Sequence, residues 1–556
     1  MRERAGSTAA AVALTVLAVA VVVVPLVELG RVVPAGGSAA LTRVLHSPGF
    51  GSAAAHSGEL AVLVPAVAVP VGTGLALVLR RPDVPCRGLL RLLIVLPLLV
   101  PQFVLGYSWS QAYGRGGFSQ QLLGAHWAGL NGAVGVVVVL VVDAVPLCFL
   151  ISSAALAVRA QPQLEQAARV SGAGWWACTR TVTLPMLRPV LAAEVVITAV
   201  AALESFAVPQ VLGTPAGYQT MTTRVYADLA LGSDPALFTD AVVLSLALVV
   251  LVALVVLPSD VLLAPRLRTA PAPSPAGPAG PSRRGPPGML VACVIGAYCV
   301  VVALVPTAAI VLAAVTRAVG RAPTPSNWTL DNFRAALDAP TRAAIGHSLE
   351  LAALAALILT VLGVSAAALG RRGWGRLLGT VVIAPFAIPG SALAVGLLIA
   401  YDRRIGGTLA LILLAYLAKF WALAHRTLSG AVDRVPPDES RAAHTSGAGP
   451  LATARTIWLP ALTPALVGAG LLVFVSALHE VTMSSLLYST GNETLAVAVL
   501  NSQELGEVPT TAALSVVLTA MLLVAAVPAW LAMVLARRRR AASQPVWSAV
   551  EVADAR

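Results

Sequence analysis

Long apolar segments separated by short polar breaks run from one end of this chain to the other. Twelve of them reach membrane-spanning length, about 20 residues at 1.5 Å rise each. They fall near 9–29, 59–79, 89–112, 132–157, 189–212 and 239–264. Six more lie near 289–315, 344–369, 376–400, 407–429, 462–487 and 511–536. The segments are continuously apolar rather than alternating, which predicts helices and excludes a β-barrel. The predicted fold class is an all-α polytopic membrane protein. Between the sixth and seventh segments, residues 266–288 are rich in proline and glycine, a composition that builds no core and reads as a solvated linker. It separates a first membrane domain, 1–265, from a second, 289–540, with 541–556 as a tail.

Composition agrees with the pattern. The chain has 556 residues, 58% hydrophobic and 11% charged, with mean hydropathy +0.85, outside the range of soluble domains. Its net charge of +12 raises nucleic acid as a partner, but the placement of the arginines argues against it. On a twelve-span topology, 26 arginines fall on the side that holds both termini and the linker, and 10 on the other. That bias predicts a cytoplasmic location for the first side. The first apolar run is too long for a signal peptide and no small-x-small cleavage site follows it, so it reads as a retained helix. The five cysteines, at 86, 148, 178, 293 and 299, have no metal-site or disulfide spacing and read as core-filling thiols.

The most informative pattern is a repeat. Glu165-Gln166-Ala167-Ala168-Arg169-Val170-Ser171-Gly172 runs on to Leu184-Pro185 and Pro189. An offset of 275 residues carries Gly172 to Gly447, Pro185 to Pro460 and Pro189 to Pro464, with Ala442 and Ala443 standing for Ala167 and Ala168. Both copies occupy polar breaks on the predicted cytoplasmic side, at 160–187 and 434–463. A second pairing links the halves: Leu96-Pro97-Leu-Leu-Val-Pro101 answers Ala384-Pro385-Phe-Ala-Ile-Pro389. Prolines inside membrane helices often mark bends, so a kink is expected in the third and ninth spans.

The pattern Ala-Ala-x3-Gly-x9-[Val/Ile]-x-Leu-Pro resembles the cytoplasmic "EAA" loop of ABC-type importer permeases, and the fused double form is most similar to ferric-iron permeases. Thiamine, aminoethylphosphonate and polyamine permeases are near relatives. The resemblance implies two homologous six-helix halves in the type I importer fold, in a bacterial plasma membrane. It implies a short coupling helix in each loop, docked on a cytoplasmic ATPase, with contacts at Glu165, Ala167, Ala168, Gly172, Leu184 and Pro185. The second set is Glu439, Ala442, Ala443, Gly447, Leu459 and Pro460. The family's acidic position is Gln166 in one copy and Arg441 in the other, so Glu165 and Glu439 are the nearest acidic substitutes. Each glycine should permit a sharp turn after the helix, and each Leu-Pro should break the chain before the next span.

The energy source lies outside this chain. A phosphate-cradling loop needs Gly-x4-Gly-Lys-[Ser/Thr], and the only lysine, Lys419, is followed by Phe420 inside an apolar span. The resemblance therefore implies two copies of an ATPase subunit that uses ATP and magnesium, with no cofactor or metal bound here. It also implies an extracytoplasmic solute-binding protein, which usually selects the substrate. The outer loops are modest, the longest at about 30–58.

Charged residues within spans usually face a protein interior or a water-filled cavity, and here they are Asp143, Glu194, Glu204, Glu350, Lys419, His479 and Glu480. The repeat places Glu204 opposite His479, one residue from Glu480, so Glu204 and Glu480 are the candidate pathway residues. The alternative for both is a buried carboxylate capped by Ser205, Thr482 or Ser484. Glu194 is expected to snorkel or pair with Arg188, and Lys419 and His425 to reach the inner interface. An ion-coupled secondary carrier also uses six plus six spans and midplane carboxylates. It gives no reason for two matched loops. No nucleophile–base or metal constellation points to an enzyme.

Overall fold

A computed structural model describes residues 12–35, 42–159, 161–232, 234–268, 287–318, 320, 324–370, 379 and 381–542. Helices dominate, and no strand occurs among the described residues. An uninterrupted helix satisfies its own backbone hydrogen bonds, which a lipid environment demands.

The first half comprises α1 (Val12–Val32), α2 (Pro48–Val78), the bent pair α3 (Arg87–Val95) and α4 (Gln102–Tyr113), and α5 (Ala133–Arg159). Then come a short α6 (Pro162–Val170), α7 (Trp175–Glu204), α8 (Met221–Tyr226) and α9 (Pro235–Arg268). The second half follows the same order: α10 (Gly288–Val315), α11 (Ala339–Gly370), α12 (Gly390–Ile405), α13 (Leu409–Val432) and α14 (Pro437–Thr445). It ends with α15 (Ala454–Leu478), α16 (Ser484–Leu487), α17 (Leu495–Glu504) and α18 (Val508–Ala542).

Ten of these helices are long and apolar enough to span a membrane, eleven when α3–α4 counts as one span, against the twelve expected. The difference is the ninth span. Residues 371–378 and 380 lie outside the described residues, and beyond them the chain forms a 3-10 turn, Ala384–Ala387, and then α12. The paired prolines cause matching breaks. Leu96–Leu99 is a 3-10 turn, Val100 is extended, and Pro101 caps α4 at an angle of 105° to the preceding helix. Ile388 and Pro389 repeat that backbone almost degree for degree.

Two other boundaries move. The fifth span ends at Glu204 rather than near 212, with Ser205 extended and Pro209–Gly213 a separate turn. The eleventh ends at Leu478 instead of 487, and α16 is a separate helix. The outer stretch 30–58 is also shorter as a loop, because helix continues to Ala35 and α2 begins at Pro48 with Ser47 as its cap. The linker is narrower at both ends, since α9 reaches Arg268 and α10 begins at Gly288; residues 269–286 and 543–556 lie outside the described residues.

The halves are interlocked. α2 packs on α5 and α7, as α11 packs on α13 and α15. α1, however, lies against α12 of the second half, and α10 lies against α4 of the first. One buried core accordingly joins Ala18 and Leu29 of α1 and Val242 of α9 to Ala392, Tyr416 and Trp421. The other joins Ala314 of α10 and Leu518 of α18 to Phe103, Val139 and Phe206. Each first helix contains one π-helical turn, at Val19–Val23 and Val300–Leu304. A tyrosine of the opposite half donates its hydroxyl to a carbonyl within that turn: Tyr401 to Ala20 O and Tyr113 to Val301 O, each at 2.7 Å.

Candidate functional site

The two repeated loops fold alike. α6 and α14 are each nine residues long, and each is followed by a glycine with positive φ, +88° at Gly172 and +79° at Gly447. This left-handed residue lets the next amide turn back onto the helix. Ala173 N donates to Ala168 O at 3.0 Å, and Ala448 N donates to Ala443 O at 2.9 Å. Both closures are glycine-terminated helix ends. A Cβ at either glycine would meet no atom within 4 Å, so backbone conformation alone requires glycine there.

The Leu-Pro pairs do not break the chain as expected. Helix runs unbroken through both, and a five-residue π turn precedes each pair, Thr179–Thr183 before Leu184-Pro185 and Ala454–Trp458 before Leu459-Pro460. The wider turn relieves the proline ring's clash with the preceding carbonyls, and the missing proline N–H coincides with the change of register.

The two acidic residues face different ways. Glu165 is buried, and its carboxylate accepts from Arg80 Nη1 at 3.3 Å and Thr183 Oγ1 at 3.2 Å. It thereby ties α6 to the end of α2 and to the π turn of α7. Glu439 stands one position earlier in its repeat, rotated by about 100° on the helix, and it is exposed. The first loop presents Val170 (89% exposed) and Trp176 (63%) outward with Ala167, whereas the second presents Arg441, Ala442 and Thr445. Beside the first loop, Arg81 grips Asp83 through two contacts, and that guanidinium holds the Asp83 carboxyl below the usual carboxylate range.

Between the halves, the structure draws several in-span polar groups together. Lys419 of α13 donates to both oxygens of Glu204 at 2.9 Å and to the Ile388 carbonyl at 2.6 Å. It does not snorkel, because a carboxylate and the carbonyl freed by the broken ninth span meet it in the interior. Glu480 caps α16: its carboxylate accepts from Met483 N at 2.8 Å, from Ser484 N at 3.0 Å and from Ser484 Oγ at 3.0 Å. Asp143 accepts from Gln102 Nε2 at 2.6 Å, and Ser205 Oγ donates to the other end of that amide at 3.5 Å.

Glu194 is fully buried and accepts from Ser152 Oγ at 2.8 Å and Thr73 Oγ1 at 3.5 Å; Arg188 is exposed and takes no part. His425 is buried in α13 rather than reaching the interface. Glu350 lies on the exposed face of α11, apart from this cluster. His479 closes α15, its Nδ1 2.6 Å from Val475 O. Sequence reasoning missed the Gln102–Asp143 pair, the partner of Lys419 and the contact of Gln210 and Tyr226 with Glu504 across the halves. The tyrosine tethers had a signal, since Tyr113 and Tyr401 are as far apart as Pro101 and Pro389.

Residues 68–268 and 359–541 each match the binding-protein-dependent transport system inner membrane component family, and each match contains one repeated loop. The chain belongs to this family. It is a two-domain ABC transporter permease of the type I fold, a multi-pass inner-membrane protein. PhnV of Salmonella typhimurium, named as a putative 2-aminoethylphosphonate transport system permease, is 31% identical over 206 residues, 36% of this permease and 77% of its own length. The y4fN protein of Sinorhizobium fredii, named as a probable ABC transporter permease, is 26% identical over 478 residues, 82% of each chain. FbpB 2 of Haemophilus influenzae, named as an Fe(3+)-transport system permease, is 30% identical over 116 residues, 20% of this permease and 23% of its own length.

Proposed function

We propose that this permease forms the translocation pathway of an ATP-driven importer and takes its power stroke through the loops at 160–187 and 434–463. The observation that carries this reading is the duplicated, glycine-closed helix, α6 and α14, at the same place in both halves. A duplicated docking element fits a partner that is itself duplicated, hence two copies of an ATPase subunit. Val170, Trp176 and Ala167 of the first loop, with Ala442 and Thr445 of the second, form the contact surface. A solute-binding protein delivers substrate to the opposite face. The test is co-purification of the ATPase with wild type and with Gly172→Arg/Gly447→Arg. Loss of the ATPase in the double variant supports the reading. An ATPase that never associates, with uptake following a proton or sodium gradient, refutes it.

Ferric iron is the substrate we propose, because the fused double form resembles iron permeases and one relative carries that name. A 2-aminoethylphosphonate substrate is the second reading, favoured by the relative that aligns over most of its own length. Uptake of labelled ferric iron and of labelled 2-aminoethylphosphonate by cells expressing the whole system separates the two.

A further inference from the structure

Lys419 is the only lysine in the chain, and it sits well inside its span, ten residues from Leu409 and thirteen from Val432. At 1.5 Å per residue those distances are about 15 and 20 Å, so the ammonium lies deep in the membrane-spanning region. An ionised group there is costly unless it is paired and hydrogen-bonded. Its three N–H donors are matched by three acceptors, the two oxygens of Glu204 and the carbonyl of Ile388.

The origins of those acceptors differ. Ile388 belongs to the same half as Lys419 and is the extended residue between the 3-10 turn and α12. Glu204 belongs to the other half and is the last residue of α7 before the chain turns out of helix. Separation of the halves at this level therefore leaves the carbonyl contact intact and breaks the ion pair. The equivalent break in the first half is tied to its own half, through Gln102 beside Pro101 and its partner Asp143.

We infer that the Glu204–Lys419 pair is the closure between the two halves, and that the pathway opens when Lys419 leaves Glu204. This inference rests on the transport reading above and names the side chains that shut its pathway. Both are partly accessible, 20% for Glu204 and 13% for Lys419, as befits groups lining a seam rather than a sealed core. Lys419 and Glu204 are thus positioning residues for the transport cycle.

The test needs neither ATPase nor substrate. The full chain is reconstituted in phosphatidylethanolamine–phosphatidylglycerol vesicles loaded with potassium chloride, and salt efflux is followed. Wild type is expected to be tight. Lys419→Met and Glu204→Gln should each raise efflux about tenfold, the change that 1.4 kcal/mol makes in an equilibrium. Lys419→Arg, which keeps the charge and the donors, should stay tight. Glu204→Gln/Lys419→Gln leaves no uncompensated charge, so it should melt with wild type and still leak. A double variant that melts like wild type and remains tight overturns the inference, as does an arginine variant that leaks like the methionine one. Neither result touches the transport reading, which stands or falls with ATPase association.

Discussion

Gly172 and Gly447 offer a controlled perturbation, because space and backbone can be separated at them. Neither would place a Cβ against any atom, yet both hold φ near +80 to +90°. An L-residue in that conformation costs about 1–2 kcal/mol, and a β-branched one more, whereas asparagine tolerates it best after glycine. The closing bonds, Ala173 N to Ala168 O and Ala448 N to Ala443 O, are lost if the turn relaxes. Gly172→Val should therefore open the end of α6 by about 1.4 kcal/mol or more, which raises the local opening population about tenfold. Hydrogen–deuterium exchange on the full chain reads this directly. The amides of Gly172 and Ala173 should exchange about tenfold faster, with α7 and the second loop unchanged. Gly447→Val should do the same at Ala448 and leave the first loop alone. Gly172→Asn should fall between valine and wild type. Exchange that is unaltered by valine, or equally raised by valine and asparagine, would refute the assignment of both glycines to backbone conformation.

The acidic residues of the two loops should behave differently despite their matched sequence setting. Glu165→Ala removes the acceptor of Arg80 and Thr183 and should destabilise by about 1–3 kcal/mol; Glu439→Ala, at an exposed site, should stay within about 0.5 kcal/mol. Thermal melting of the purified chain compares them. Tyr113→Phe and Tyr401→Phe each delete one hydroxyl tether between halves, worth about 1 kcal/mol, and the double variant should be additive because the sites share no partner. Glu194→Ala removes the shared acceptor of two buried hydroxyls, Ser152 and Thr73, which then keep only their mutual bond at 3.0 Å, and should lower stability by about 1–3 kcal/mol, with Glu194→Gln milder.

Much of the fold was legible because membrane insertion imposes long apolar runs and the chain states its repeat twice. The kinks at Pro97–Pro101 and Pro385–Pro389 were legible for the same reason: proline has a local backbone effect that needs no tertiary context. The helix ends at Glu204 and Leu478 were not. Apolar residues continue past both points, and the polar partners that accompany each end do not show in the apolar pattern. Glu204 is drawn to a lysine more than two hundred positions away, and Glu480 caps a helix of its own. The Leu-Pro pairs misled in the opposite sense, because a preceding π turn lets a helix absorb a proline that a straight α-helix would resist.

The site divides along the same line. The glycine-closed helices α6 and α14 were readable as pattern, since φ > 0 at a helix end selects glycine wherever it occurs. The fate of each charged side chain was not, because it depends on which neighbour arrives. Lys419, Glu194 and His425 were all expected to reach toward an interface, as long polar side chains near a helix end do. Each is instead held inside: Lys419 by Glu204 and a backbone carbonyl, Glu194 by two hydroxyls, and His425 by burial in α13. The breaks made by Pro101 and Pro389 explain why the interior can hold charge at all. A broken span frees polar backbone, and freed polar backbone must be answered. At Ile388 the answer is an ammonium group, and an ammonium in a membrane needs a carboxylate. Glu204 supplies it from the opposite half, so at Ile388 a kink written locally in the sequence is answered by a charged contact across the seam.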